Sequence, residues 1–325
     1  MDQEAVSQNG QSEWTIESTR LPEFCPPGLE VDHEDTKIEI ENPYVINPIE
    51  KDDSIDEVDR SWLGGKYFLP NDRTELSRLD RQHIMWTRIL DGDLVKGPVT
   101  EPKHVLDLGT GSGIWAMDFG KTSHRSTFGI PQNCRFEERD FMDPWDYPQK
   151  FDLVHGRLIF VAQRDPRKLL QQAFESLAPG GYLEHQELYG VPIGLDGSYS
   201  GTFMEQFFFD TVVASKKLGN NMLTIQKYKR WMTEIGFEDV VELHRALPLN
   251  PWPAGAYKAI GEMQQKNLEV GFGGLYTRML TKGLGWSPEK TADAIKKALE
   301  QVRAKNIHAY FPIFVVYGRK PLNAE

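Results

Sequence analysis

The sequence predicts an α/β fold built on a doubly wound, mostly parallel sheet, and three observations carry this prediction. The first is a buried apolar run, Val105–Leu108, that enters a glycine-rich turn and then a helical pattern. The second is a strand, a helix, a Pro-Gly-Gly turn and another strand between residues 151 and 188, which is typical of a right-handed parallel crossover. The third is a length of 325 residues, enough for the core of one large domain with or without a cap.

The composition excludes several classes of protein. Hydrophobic residues make up 39% of the chain, and no apolar run approaches the roughly 20 residues that a membrane span needs. The start of the chain lacks the basic residues and apolar segment of a secretory signal, so we expect an intracellular protein, cytoplasmic or alternatively nuclear. Cys25 and Cys134 lack the spacing of metal ligands, so we expect neither a metal site nor a disulfide framework.

The first 60 residues carry the net charge of the chain. They hold 17 Asp and Glu against four Lys and Arg, a net of −13, which leaves +2 for the remainder out of a total of −11. A nearly neutral remainder without a basic stripe argues against direct nucleic-acid binding. Residues 1–60 are also rich in Ser, Asn and Pro, so we expect a disordered or loosely attached arm ahead of a domain at 61–325. The arm is either a solvated tail or a contact for a protein partner.

A helix is predicted ahead of the first strand. Large side chains recur there at helical spacing, and glycines close the segment. The recurring residues are Leu76, Leu79, His83, Trp86 and Leu90. An aromatic face at this place either covers a bound cofactor or packs in the core, and both alternatives stand for Tyr67 and Trp86.

The turn after the first strand has glycine at alternate positions: Gly109, Gly111 and Gly113. Glycine has no side chain, so the backbone of the turn can approach a ligand and the next helix can present free N–H groups. A dinucleotide fingerprint has its third glycine at the sixth position, where this chain has Ile114, and this disfavours a nicotinamide oxidoreductase. With Asp107 at the strand end, the pattern resembles motif I of class I S-adenosylmethionine (SAM) methyltransferases. The resemblance assigns Asp107 and the three glycines to cofactor binding.

The segment after the glycine helix is shorter than such a site requires. A second strand should end in an acid that binds the ribose hydroxyls, about 20 residues past the first glycine. No Asp or Glu lies between Asp118 and Glu137, and residues 121–131 are too few and too polar to form that strand. We therefore expect a shortened second strand region and weaker SAM binding, by about tenfold to several hundredfold.

A further strand is predicted over residues 135–141. Its acid, Asp140, stands where SAM enzymes commonly place the residue that binds the adenine amino group, and Phe141 follows it. We therefore assign Asp140 and Phe141 to cofactor binding. Alternatively, Glu137 or Glu138 takes the place of the ribose acid.

The next two predicted strands end in polar residues. Ligands bind at the carboxyl ends of parallel strands, so these side chains are candidates for the site. They are His155 and Arg157 on one strand and His185 and Glu187 on the next. Arg157 binds a carboxylate of the cofactor or a substrate anion, or it pairs with Asp152 or Glu184.

Two segments, around 190–235 and 248–305, depart from the strand and helix alternation and predict helical cap insertions. Aromatic residues crowd the first of them, where they form either a substrate wall or ordinary core. Two more strands are predicted at residues 236–243 and 311–318.

Several stretches in combination resemble the fungal LaeA-like methyltransferases. They are Leu69-Pro70-Asn71-Asp72 with Arg78-Leu79-Asp80, the glycine turn, and residues 133–136, 151–157, 179–187 and 310–320. The resemblance implies a Rossmann-like class I methyltransferase sheet, SAM as methyl donor, and work on secondary-metabolite intermediates or as a nuclear regulator. Family members carry an acidic strand ahead of the Asn-Cys-Arg-Phe segment, and this chain departs from them there.

Methyl transfer from a sulfonium is an in-line displacement, so catalysis comes mainly from aligning donor and acceptor and from excluding water. A base within hydrogen-bond reach helps when the acceptor is a hydroxyl or an amine. His185 is the candidate base, and a packed structural histidine is the alternative. The sequence thus predicts a SAM-dependent methyltransferase acting on a small apolar molecule. The second hypothesis is a regulatory, non-catalytic protein of the same fold that works through its acidic arm.

Overall fold

The computed structural model describes residues 26–34, 72–123 and 130–324. Its helices are α1 Arg73–Ile89, α2 Ile114–Ser123, α3 Pro166–Ser176, α4 Phe203–Lys217, α5 Tyr228–Ile235, α6 Ala256–Leu284 and α7 Pro288–Val302. Its strands are β1 Val105–Leu108, β2 Phe151–Arg157, β3 Leu177–Leu188, β4 Ile193–Gly194, β5 Glu238–Pro248 and β6 Ala309–Arg319. None of the described helices combines the length and apolarity needed to cross a bilayer.

The strands form one open, mixed sheet. Its order is β1-β2-β3-β6, and both β4 and β5 pair with β6. β1, β2 and β3 are parallel, as the crossover predicted, and β6 runs antiparallel to β3. The register places Leu108 beside Gly156 and Gly156 beside His185. The carboxyl ends of the three parallel strands therefore meet next to the glycine turn.

The predicted strand over residues 135–141 is wrong. The described chain from 130 to 150 is irregular, and the side chains of residues 135–139 are exposed. A strand needs one face to bury, and a run of charged residues from Glu137 to Asp140 supplies no such face. β1 is consequently the last strand at this side of the sheet within the described residues. Residues 124–129, where part of the expected second strand falls, lie outside them.

Helix α1 forms where the spacing predicted it. Asp72 caps its start, because the Asp72 carboxylate accepts the Glu75 backbone N–H at 2.9 Å. Trp86 is fully buried in the core, so the core alternative holds for this residue. Tyr67 lies outside the described residues, and its two alternatives stand.

Helices occupy both segments in which caps were predicted. α4 carries the aromatic cluster of the first segment, and its rings pack inward. Phe207 stacks on Phe272 of α6 with ring centroids 5.2 Å apart, and Phe208 meets Phe311 of β6 edge-on at 5.3 Å. Both α4 rings are buried. They are therefore core, while the boundaries of the caps stay a prediction.

Residues 26–34, inside the predicted arm, pack against the domain. Leu29 is buried beside Trp252, and the Asp32 backbone N–H donates to the Trp252 carbonyl at 2.9 Å. The Asp32 carboxylate also lies 2.6 Å from Lys258 Nζ on α6. The expectation of disorder or loose attachment is wrong for this stretch, because it supplies both an apolar side chain and a buried ion pair. Other parts of the arm lie outside the described residues.

Candidate functional site

The turn between β1 and α2 requires glycine for its backbone conformation. Gly109, Gly111 and Gly113 have φ angles of 59°, 59° and 80°. Such left-handed angles cost other residues roughly 1–2 kcal/mol each. Gly109 and Gly111 are exposed, so the backbone there is open to a ligand. The structure thus brings the three predicted glycines together at the carboxyl end of β1.

Two hydroxyl groups in this turn point to a ligand. Thr110 Oγ1 and Ser112 Oγ are buried and make no hydrogen bond within the described residues. An unsatisfied buried polar group costs about 1–3 kcal/mol, so two in one turn call for a partner. Together with the open glycine backbone they form a polar cradle that fits the charged amino-acid end of SAM. Neither hydroxyl was predicted as a ligand from the sequence, although both residues stand between the glycines.

Apolar side chains lie against the open part of the turn. A Cβ atom placed on Gly111 would lie 3.1 Å from Leu79 Cδ1 of α1. One placed on Gly109 would lie 2.8 Å from Ile159 Cγ2, in the loop after β2. A side chain at Gly109 would therefore clash with Ile159, and one at Gly111 would press on Leu79, so the backbone of the turn lies close to both apolar side chains.

The adenosyl end of the predicted site is less open. A Cβ atom on Gly113 would lie 2.7 Å from the Phe136 ring. Asp140 Oδ2 already accepts a hydrogen bond from Arg164 at 2.8 Å. A Cβ atom on Gly109 would lie 3.6 Å from Phe141 Cε1, so the Phe141 ring lies near the glycine turn. The residues present therefore fit SAM at its amino-acid end, whereas an adenine at Asp140 competes with Arg164.

Asp107, at the end of β1, is held by a histidine. Asp107 Oδ1 lies 2.7 Å from His155 Nδ1 on the neighbouring strand. The His155 ring is stacked on Trp115 of α2, with centroids 3.7 Å apart and planes within 4°. Asp107 Oδ2 accepts no hydrogen bond from the described residues, so it is available to a cationic ligand group.

Arg157, at the end of β2, takes part in a buried chain of hydrogen bonds. Its Nη2 donates to His83 Nδ1 at 2.9 Å, and His83 Nε2 donates to Asp118 Oδ2 at 3.0 Å. Burial lowers the pKa of His83, and burial lowers the pKa of Arg157 to about 10, which leaves the guanidinium charged at neutral pH. The alternative that Arg157 pairs with Asp152 or Glu184 is wrong, since both carboxylates accept backbone N–H groups ahead of β1. Anion binding by Arg157 stays a prediction.

His185, the candidate base, is completely buried on β3. Its ring meets Tyr228 edge-on at 5.3 Å, and neither ring nitrogen has a hydrogen-bond partner within the described residues. Burial, followed by the charge of His155, lowers the pKa of His185 to about 3. The imidazole is therefore neutral at physiological pH and is a weak base. Its catalytic role stays a prediction.

The loop after β2 is fixed by the buried carboxylate of Glu187. Glu187 accepts the backbone N–H groups of Ile159 at 3.0 Å and Phe160 at 3.4 Å. Burial raises the pKa of Glu187 well above its usual value, although these two hydrogen bonds oppose the shift. Leu158, the first residue of this loop, has a left-handed φ of 56°. The sequence placed Glu187 at this edge but gave no sign of the loop that it holds.

Comparison with known proteins identifies the family. A profile described as a methyltransferase domain matches residues 94–243. Methyltransferase pytC of Aspergillus terreus is 30% identical over 275 residues, which cover 80% of this chain and 85% of that protein. The secondary metabolism regulator laeA of Monascus pilosus is 29% identical over 283 residues, 80% of this chain and 75% of that protein. The chain belongs to the LaeA-like methyltransferase family.

Among solved structures, this methyltransferase is similar to phosphoethanolamine N-methyltransferase 2 of Haemonchus contortus in complex with SAM. The TM-score is 0.37 at 16% identity, over 79% of this chain and 55% of that chain. The sequence relatives confirm the predicted family, the class I fold, SAM as the methyl donor and a setting in fungal secondary metabolism. The methyltransferases among them imply a small-molecule acceptor.

Proposed function

We propose that this methyltransferase transfers a methyl group from SAM to a hydroxyl or amine of a small apolar intermediate of secondary metabolism. The observation that carries the proposal is the pair of unpartnered hydroxyls, Thr110 and Ser112, in an open glycine turn beside Asp107. A turn that only tightened a corner would have no use for two buried hydroxyls without partners. The relatives named above support the metabolic setting.

When bound, SAM supplies an electrophilic methyl group on a sulfonium. The chain's own residues bind and orient it. The proposed ligands at the amino-acid end are Asp107 Oδ2, which accepts from the ammonium group, and the hydroxyls of Thr110 and Ser112. Leu79 and Ile159 are the apolar side chains beside this turn that would contact the bound cofactor, and alignment with exclusion of water is most of what this displacement needs.

On the acceptor side, the proposed residue is His185. A neutral ring with two unpartnered nitrogens can accept a hydrogen bond from an acceptor hydroxyl. With a pKa of about 3, the ring removes little of that proton before methyl transfer. We therefore assign His185 to orienting the acceptor: the acceptor oxygen or nitrogen would take the methyl group as its bond to sulfur breaks, S-adenosylhomocysteine would leave, and the acceptor proton would pass to solvent.

Calorimetric titration of the full chain with S-adenosylhomocysteine tests the proposal. We expect saturable binding below about 1 mM, because the missing ribose acid weakens affinity without abolishing it. Gly111→Ala adds backbone strain and a Cβ atom 3.1 Å from Leu79, so its affinity falls by about tenfold or more. Gly255→Ala is the matched control, because Gly255 has the same φ of 59° with no atom within 4 Å. Absence of binding by the unmodified chain overturns the proposal.

A regulatory role through the acidic arm is the second candidate, favoured by the similarity to the laeA regulator. Removing residues 1–60 is a poor test, because it also takes Asp32 away from buried Lys258. Removing residues 1–24 leaves that ion pair in place. An enzyme keeps its turnover after this shorter deletion. A regulator acting through the arm keeps S-adenosylhomocysteine binding but loses its effect on metabolite output in the host.

A further inference from the structure

We propose that His155 is a positioning residue for SAM: it fixes the Asp107 carboxylate so that one oxygen faces the amino group of the cofactor. Trp115 in turn fixes His155. This inference rests on the proposed function, since it takes Asp107 as a ligand of the cofactor. Titrations of the unmodified chain and of its variants distinguish failure of this inference from failure of the proposed function.

The bond between His155 and Asp107 spans two strands. Asp107 and His155 are register partners in β1 and β2, and their side chains meet at 2.7 Å. A carboxylate only accepts hydrogen bonds, so Nδ1 of His155 is protonated and donates a hydrogen bond to Oδ1. The two side chains are 10% and 0% exposed. Hydrogen bonds to charged groups are stronger than neutral ones, and burial strengthens this one further.

Trp115 prevents the histidine ring from turning away. The two rings are parallel within 4° at a centroid distance of 3.7 Å. The indole is itself anchored, because Trp115 Nε1 donates to the Leu94 carbonyl at 3.1 Å. Trp115 lies in the first turn of α2, directly after the glycine turn. The stack therefore joins both strands and the glycine helix around the place where the cofactor's amino-acid end binds.

One ring nitrogen of His155 makes a hydrogen bond and the other makes none, and this difference indicates a function beyond packing. His155 Nε2 is buried and has no partner within the described residues, so the hydrogen bond to Asp107 is the one polar contact that the ring makes there. A phenylalanine would pack at this position without leaving a buried nitrogen unsatisfied. What histidine adds is the bond to Oδ1. That bond leaves Oδ2 of Asp107 in a fixed direction for a ligand.

Two substitutions separate the hydrogen bond from the stack. His155→Phe keeps a ring on Trp115 and loses the donor, whereas His155→Asn keeps a donor near the Nδ1 position and loses the stack. The full chain and both variants are titrated with S-adenosylhomocysteine by calorimetry. We expect His155→Phe to bind about tenfold to a hundredfold more weakly than the unmodified chain, and His155→Asn to stay within about fivefold of it. Thermal unfolding without ligand shows that each variant is folded at the assay temperature.

A double substitution asks whether His155 acts through Asp107. If it does, His155→Phe has no further effect on affinity in an Asp107→Asn background, because the carboxylate that it orients is gone. Additive losses, or a His155→Phe variant that binds as well as the unmodified chain, overturn the inference. Equal losses of affinity in His155→Phe and His155→Asn also overturn it, because they would assign the effect to packing. Failure of the unmodified chain to bind removes the proposed function instead, and this inference falls with it.

Discussion

Glu187 accepts the backbone N–H of Ile159 at 3.0 Å, and Ile159 in turn covers Gly109 of the glycine turn. A fully buried carboxylate on β3 therefore fixes the loop that lies beside the glycine turn. The second oxygen of Glu187 accepts from Phe160 at 3.4 Å, so both oxygens hold the same loop.

The first prediction concerns this carboxylate. Glu187→Gln keeps the shape but turns one acceptor into an NH2 group that faces a backbone N–H. We expect affinity for S-adenosylhomocysteine to fall by about tenfold, because the loop loses one hydrogen bond and shifts away from the turn. Glu175→Gln, on the exposed surface of α3, is the control and should change nothing. Calorimetry on both variants makes the comparison, and unchanged affinity in Glu187→Gln contradicts the role of the loop.

The second prediction concerns pH. Burial holds the pKa of His185 at about 3, while the same imidazole in the unfolded chain has a pKa of about 6.5. The unfolded state therefore binds this proton first as the pH falls. The stability from the neutral buried ring is complete above about pH 6.5 and is lost progressively as the pH falls toward 3.

His185→Phe removes this titration. Between about pH 7 and pH 4, we expect the free energy of unfolding to fall less in the variant than in the unmodified chain, by a few kcal/mol. Urea unfolding at several pH values measures the difference. His104→Gln, an exposed histidine, is the control and should follow the unmodified chain. Parallel pH profiles for His185→Phe and the unmodified chain would show that the buried ring does not resist protonation.

Local signals in the sequence were sufficient for most of the fold. The helical spacing that gives α1, the glycines that follow β1 and the strand-helix-strand crossover at residues 151–188 are each read from neighbouring residues, and the structure contains all three. The predicted strand at 135–141 is wrong because the charged run from Glu137 to Asp140 gives it no apolar face to bury, a local signal that the family resemblance outweighed. The expectation of disorder for residues 26–34 is wrong because their contacts are distant in sequence. Lys258, which pairs with Asp32, lies far away along the chain.

For the site, the backbone was predictable and the side-chain contacts were not. Three glycines at alternate positions require the turn that forms, so their grouping follows from the sequence. Which polar atom meets which depends on the sheet register and on ring orientation. His155 bonds to Asp107, and Arg157 to His83, only because β1, β2 and α1 come together in three dimensions. The unpartnered hydroxyls of Thr110 and Ser112 likewise become visible only in the folded chain.

The third prediction concerns the anchor of the arm. Asp32 and Lys258 form an ion pair at 2.6 Å, and their side chains are 5% and 4% exposed. Asp32→Ala removes this carboxylate from the buried ammonium, so we expect about 1–3 kcal/mol of destabilisation. Glu34→Ala, an exposed acid in the same stretch, should cost less than about 0.5 kcal/mol. Urea unfolding compares them, and equal small effects would mean that residues 26–34 contribute nothing to the stability of the domain.

The last prediction links the cap to the cofactor. Arg78 of α1 donates to Asn267 of α6 at 2.8 Å and also pairs with Glu75, and the next residue, Leu79, covers Gly111. Asn267→Ala removes this hydrogen bond between the two helices. We expect about 1–3 kcal/mol of destabilisation together with a severalfold loss of affinity for S-adenosylhomocysteine, because α1 no longer holds Leu79 over the turn.

The matched control for that variant is Lys266→Ala, the exposed neighbour on the same helix, which changes helix composition without touching α1. Urea unfolding and calorimetric titration are carried out on both variants. If Asn267→Ala loses stability but binds S-adenosylhomocysteine as tightly as the control, the contact between α1 and α6 is structural only. A loss of both quantities in Asn267→Ala alone means that a change in the cap helix reaches the cofactor through α1.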